Sequence, residues 1–111
     1  MEHLKGLTKL ERLHLYDTKV TDAGLEHLKG LTNLQYLNLW GTNVTDAGLK
    51  HLKGLTQLER LYLADTKVTG AGLDHLKGLT KLKFLNLEGN HITHQGVKKF
   101  QQALPNCEIS H

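Results

Sequence analysis

Histidine is the one residue type able to do chemistry that this chain holds in excess. Eight histidines stand against one cysteine, Cys107, and one serine, Ser110, in 111 residues. Four of them, His3, His27, His51 and His75, recur every 24 residues in the segment His-Leu-Lys-Gly-Leu-Thr. A zinc site needs three or four ligands converging at about 2 Å. One histidine per repeat, carried along an extended array, does not converge, so the row reads as a solvated face and no metal is expected. Lys5, Lys29, Lys53 and Lys77 accompany the histidines and would attract phosphates. Glu26 and Asp74 dilute them, and the net charge is only +3, so nucleic acid is not the expected partner. His14, Tyr16 and Asp17 are close in sequence, yet no serine, threonine or cysteine is placed beside them as a nucleophile on their face. Cys107 falls where a strand places an inward leucine and reads as a small buried apolar residue. The glycines follow the repeat and form no phosphate-cradling loop, and His91 and His94 carry no motif. The expectation is a chain without catalysis or cofactor. Recognition remains: Tyr16, Tyr36, Trp40 and Tyr62, with Arg12 and Arg60, are of the types that dominate protein interfaces.

The elements that must position these residues follow from the same 24-residue period, which runs through four copies. Leu13-x-Leu15, Leu37-x-Leu39, Leu61-x-Leu63 and Leu85-x-Leu87 alternate as half-buried strands do. Thr21-Asp22 and Thr45-Asp46 read as helix starts, with threonine as N-cap and aspartate in the first turn. Leu25, Leu28 and Leu31 follow at helical spacing, and Gly30 and Gly54 suit helix termination. Each repeat is therefore strand, loop, short helix and return. A single repeat cannot bury its leucine face; stacked repeats share one continuous core, with equivalent strands about 4.8 Å apart in a parallel sheet.

The pattern Leu-x-x-Leu-x-Leu-x-x-Thr-x-Val resembles a leucine-rich repeat, and the continuation Val-Thr-Asp-Ala-Gly-Leu is similar to the ribonuclease-inhibitor-like and cysteine-containing subclasses. The resemblance covers essentially the whole chain. It implies an α/β fold, a right-handed solenoid with a concave parallel β-sheet and convex short helices. One departure concerns the ninth position, where the family usually has Asn or Cys. Thr18, Thr42 and Thr66 stand there, and only Asn90 keeps the usual residue. The expected ladder of loop hydrogen bonds is thinner than usual. The chain reads as a single domain over 1–111: a half-repeat over 1–8, four strand-containing repeats over 9–100, and a C-terminal cap over 101–111. In the cap, Leu104 to Ile109 looks like a last short strand.

On such strands the residues flanking the leucines form the concave surface: Arg12, His14, Tyr16; Tyr36, Asn38, Trp40; Arg60, Tyr62, Ala64; Phe84, Asn86, Glu88. Asp17, Gly41, Asp65 and Gly89 form its rim. Five of the six aromatics fall on this face. At about 150–250 Å² each they offer roughly 500–1,000 Å² at most, comparable to the ~800 Å² per partner of a standard interface. The expected partner is a protein or peptide. Arg12, His14, Tyr16, Tyr36, Asn38, Trp40, Arg60, Tyr62, Phe84 and Asn86 are the candidate contacts. The competing reading is an array without an evolved ligand, whose arginines stack on Tyr36 and Phe84 of adjacent strands. A second period supports either: Asp17, Gly41, Asp65, Gly89 and Arg12, Tyr36, Arg60, Phe84 alternate every 48 residues, as duplication or design would produce. No N-terminal cap is visible, so the edge strand near Arg12 to Tyr16 is expected to pair weakly with a second copy. No stretch reaches the ~18 apolar residues of a membrane span and no signal peptide is evident. The reading is of a soluble chain whose single cysteine fits a reducing compartment such as the cytoplasm.

Overall fold

The structure, a computed structural model, describes residues 8–111. The predicted half-repeat over 1–8, including His3, Leu4, Lys5 and Leu7, lies outside the described residues except for Thr8. Five three-residue strands, β1 (Arg12–His14), β2 (Tyr36–Asn38), β3 (Arg60–Tyr62), β4 (Phe84–Asn86) and β5 (Glu108–Ser110), form one parallel sheet in chain order. The register is the sequence period itself: Leu13, Leu37, Leu61, Leu85 and Ile109 stand side by side. Backbone pairing continues past the named strands, through Asp17 N–H to Trp40 C=O at 2.8 Å and Asp65 N–H to Glu88 C=O at 2.9 Å. The last strand predicted over Leu104 to Ile109 forms only over Glu108–Ser110, as β5 beside β4, because Leu104 to Asn106 turn the chain out of α3.

The leucines behind the sheet meet those of the convex helices in one core. Leu25, Leu28, Leu37, Leu49, Leu52 and Leu61 are fully buried, and Phe100 takes the helix-leucine place at the C-terminal end. Leu10, Leu13, Leu15 and Val20 are only partly buried, unlike their counterparts Leu34, Leu37, Leu39 and Val44. The convex side is built from very short pieces: α1 (Asp22–Leu25) and α2 (Asp46–Leu49), each running into one turn of 3₁₀ helix, then a 3₁₀ stretch over Gly70–Leu76, then the ten-residue α3 (His94–Ala103). None of the described helices is long and apolar enough to cross a membrane.

Two local expectations need correction, and a third, the thinner ladder, takes a specific form. Thr21 occupies the N-cap position but its side chain caps nothing. Asp22 instead reaches the next turn, where its carboxylate accepts from the N–H of Thr45 at 2.8 Å and from the Thr45 hydroxyl. Asp46 does the same for Thr69. At the third turn Gly70 replaces the aspartate. Thr93 caps its own helix, accepting from Gly96 N–H at 3.0 Å, as Thr45 does from Ala47 N–H at 3.3 Å while its hydroxyl donates to Asp22, and α3 is the longest helix described. Second, Gly30 and Gly54 are not in left-handed backbone and nothing crowds them. The demanding glycines are elsewhere: a Cβ on Gly48 or Gly72 would strike the carboxylate of Asp22 or Asp46. Third, the hydroxyls of Thr18, Thr42 and Thr66 turn back onto Leu15, Leu39 and Leu63 carbonyls of their own turns, at 2.6, 2.7 and 2.8 Å. Only Asn90 bridges between turns at that position, accepting from Thr66 N–H and donating to Leu63 C=O. The aspartates on the convex side supply the cross-links that the threonines do not.

Urea unfolding of four proteins tests this packing. Leu61→Ala empties a fully buried site and should cost about 2–5 kcal/mol. Gly72→Ala drives a methyl into the Asp46 carboxylate and should cost about 1–3 kcal/mol. Lys53→Ala, on the exposed convex side, should stay within ~0.5 kcal/mol of wild type. Equal midpoints would contradict the register.

Candidate functional site

The strand-flanking side chains gather on one face as the alternation requires. Their rings form a nearly continuous band. His14 lies 4.8 Å from Tyr36, Tyr36 is 5.2 Å from Tyr62, and Tyr62 is 5.4 Å from Phe84, centroid to centroid. Tyr16 and Trp40 form a second, outer pair at 6.5 Å. The arginines at the strand starts stack on the neighbouring turn, Arg12 4.6 Å over Tyr36 and Arg60 5.9 Å over Phe84. So the expected internal stacking is present on that edge, where Lys83 also pairs with Glu59 at 3.4 Å. Tyr16 and Trp40, at the opposite edge, stay 51 % and 42 % exposed.

At that opposite edge the chain turns through left-handed backbone in every repeat. Asp17 and Asp65 have φ of 55° and 53°, Gly41 and Gly89 of 71° and 78°. Aspartate is among the few side-chain-bearing residues that tolerate this region. The alternation has a steric cause: a Cβ on Gly41 would sit 2.6 Å from the Asp17 carboxylate, and one on Gly89 would collide with Asp65. The aspartate rotamer seen in one turn therefore leaves room only for glycine in the next. Asp65 also accepts a hydrogen bond from the Trp40 indole N–H at 2.9 Å, fixing the ring.

Ala64 stands between Trp40 and Glu88 in the column that begins with Tyr16. Its short side chain leaves a cleft of about 450 Å³, lined by Asn38, Trp40, Tyr62, Ala64, Asp65, Asn86, Glu88 and Gly89. Of the sequence-derived candidates, the cleft unites Asn38, Trp40, Tyr62 and Asn86. Arg12, His14, Tyr16, Tyr36, Arg60 and Phe84 share the face but lie outside it. Ala64, Asp65 and Glu88 were not among the candidate contacts; the signal for them was a lone small residue in a column otherwise held by Tyr, Trp and Glu. Asn38 and Asn86 brace the walls: each carboxamide oxygen accepts at 3.0 Å from the backbone N–H two residues on, Trp40 and Glu88.

Elsewhere the titratable residues serve the scaffold. Cys107 is buried, and burial together with Glu108 pushes its thiol up to about 11. His27, His51 and His75 lie on the convex side, and among the described residues no three His, Cys, Asp or Glu side chains gather to hold a metal. The Nδ1 atoms of His27 and His51 are buried without a hydrogen-bond partner. His51 is held below the ordinary histidine range, first by burial and then by the ammonium groups of Lys29 and Lys50.

Comparison with known proteins places this geometry in a wide group. The family profile described as leucine rich repeat matches residues 32–92, and a profile for two leucine rich repeat copies matches residues 8–54. No curated protein sequence matches the chain. Among solved structures, internalin C2 of Listeria monocytogenes is 31 % identical with a TM-score of 0.84, over all of this chain and 45 % of its own. A leucine-rich-repeat protein of Leptospira interrogans is 26 % identical with a TM-score of 0.81, over all of this chain and 28 % of its own. A TLR13–ssRNA13 complex is 29 % identical with a TM-score of 0.75, over 96 % of this chain and 15 % of that one. The chain thus spans less than half the length of each of these relatives.

The histidine geometry gives a pH dependence. A lowered pKa in the folded state means that the unfolded chain takes up the His51 proton first as pH falls. Stability from this residue is present above pH ~6.5 and is lost as pH drops toward the lower folded value. Urea midpoints at pH 7.5 and pH 5 should therefore differ less for His51→Gln than for wild type, and the His51 ring should titrate below the ordinary value by NMR.

Proposed function

Because the chain belongs to the leucine-rich repeat family, we propose that its concave face binds a protein or peptide and does no chemistry on what it binds. The observation that carries this reading is the outer aromatic pair. Tyr16 and Trp40 are the two large hydrophobic side chains left exposed among the described residues, and both stand on the same edge of the same face. Inner rings that stack on one another and under arginines are largely satisfied within the sheet. The outer pair, the Tyr62 ring and the cleft beside Ala64 are what a partner would cover. Aromatic anchors in a partly walled pocket are the usual centre of an interface. An RNA ligand, such as the TLR13 complex holds, is disfavoured by the carboxylates of Asp17, Asp65 and Glu88 along this edge.

Panning random phage-displayed peptides on the immobilised chain tests the reading. Enriched peptides should lose about 2 kcal/mol of binding, roughly thirtyfold, on the Trp40→Ala, Tyr62→Ala double variant. Enrichment of peptides that bind both forms equally, or of none, would argue for a repeat array without an evolved ligand.

A second reading, weak self-association through β1, the edge strand among the described residues, draws on Leu10, Leu13 and Leu15, which are partly buried where Leu34, Leu37 and Leu39 are fully buried. An antiparallel pairing of two such edges closes a two-fold dimer. Under this reading the mass by light scattering rises from micromolar to near-millimolar protein, and His14→Pro abolishes the rise. A constant monomer mass removes it.

A further inference from the structure

The geometry points to the cleft over Ala64 as a seat for one cationic side chain of a bound peptide, arginine before lysine. The inference rests on the peptide-binding reading and names what this part of the face selects. Its starting point is a missing side chain. Turns one, two and four carry Tyr16, Trp40 and Glu88 in this column, whereas turn three carries Ala64, which is 6 % exposed and forms a floor. One wall is the Trp40 indole, held in place because its N–H donates to one Asp65 carboxylate oxygen. The other walls include the acidic residues Asp65 and Glu88.

Three chemistries can be weighed against that lining. An anionic group would face two carboxylates. An apolar side chain would desolvate them with nothing to pair. A cation gains both the carboxylates and the indole face. A guanidinium does so best, since its plane can stack on the ring while its edge donates to a carboxylate. The ion pairs among the described residues are Lys77–Asp74 and Lys83–Glu59, so neither Asp65 nor Glu88 already holds an internal countercharge, and the loop lysine nearby in sequence, Lys67, pairs with neither. The walls also offer something to the peptide backbone. Asn38 and Asn86 accept through their carboxamide oxygens, which leaves their NH₂ groups as donors toward a carbonyl on either side of the seated residue.

The chain has a single tryptophan, so indole fluorescence and the indole N–H resonance both report on this wall. The probe is a blocked peptide, acetyl-Gly-Arg-Gly-amide, titrated into the millimolar range. Its controls carry citrulline, a neutral isostere, or glutamate in place of arginine. The arginine peptide should shift both signals saturably, with affinity falling as salt rises. Citrulline should bind about tenfold more weakly or worse, and glutamate should not bind. Asp65→Asn combined with Glu88→Gln keeps a residue suited to the left-handed backbone and should weaken the arginine response to the citrulline level; Ala64→Leu should fill the seat and abolish it. Equal binding of arginine and citrulline, or no saturable response to arginine, overturns the inference. The outcomes also separate from those of panning. Display ligands lost in Trp40→Ala, Tyr62→Ala but indifferent to Ala64→Leu and to the carboxylate variant would leave face binding standing and remove the cation seat. A saturable arginine response with no display ligand would do the reverse.

Discussion

A parallel strand hydrogen-bonds its neighbour directly, so successive turns of this chain rise by only about 4.8 Å, and every turn must then enclose nearly the same cross-section. That spacing is the constraint on which the rest depends. It puts Leu37 against Leu13 and Leu61, which is why the interior accepts one residue type almost throughout. It also puts every loop against the same loop one turn on, so that a polar group at a turn has either its own backbone or its successor as a partner. Thr42 and Thr66 use the first solution, Asp22 and Asp46 the second. The sheet is cross-linked on its convex side by carboxylates, and on its loop side mainly by backbone hydrogen bonds such as Gly41 N–H to Ala64 C=O.

Most of the architecture was legible in the sequence because it is a property of like residues at equal spacing. The strand positions, the parallel register, the concave column of rings and the closing strand after Cys107 all follow from the 24-residue recurrence. The parts that were not legible are contacts between unlike residues. Asp22 read as a helix-start signal because its type and place fit one; its actual partner, Thr45, lies a turn away and becomes adjacent only after stacking. The Trp40–Asp65 bond joins different columns of successive repeats. The cleft depends on an absence, the short side chain of Ala64, and pattern reading weights what recurs over what is missing.

The concave face is divided along the strand direction. At the strand starts, Arg12 and Arg60 stack on rings of the next turn and Glu59 pairs with Lys83, so charge is largely matched within the sheet. At the strand ends, Asp17, Asp65 and Glu88 stand beside the exposed rings of Tyr16 and Trp40. The face therefore has one edge whose charges are matched within the sheet and one whose carboxylates have no ion-pair partner among the described residues.

The alternation of aspartate and glycine at the rim has an evolutionary reading. Asp17 fits because Gly41 follows it, and Asp65 because Gly89 does; Arg12 over Tyr36 and Arg60 over Phe84 are matched in the same order. An unequal crossover that inserted one extra copy of an aspartate-bearing repeat would set a Cβ where the preceding carboxylate already lies. Insertion of two repeats together preserves every pair. Neighbouring turns are thus matched at 48 residues rather than 24: a turn carrying glycine accepts either neighbour ahead of it, whereas the aspartate rotamer of Asp17 or Asp65 leaves room only for glycine in the turn that follows.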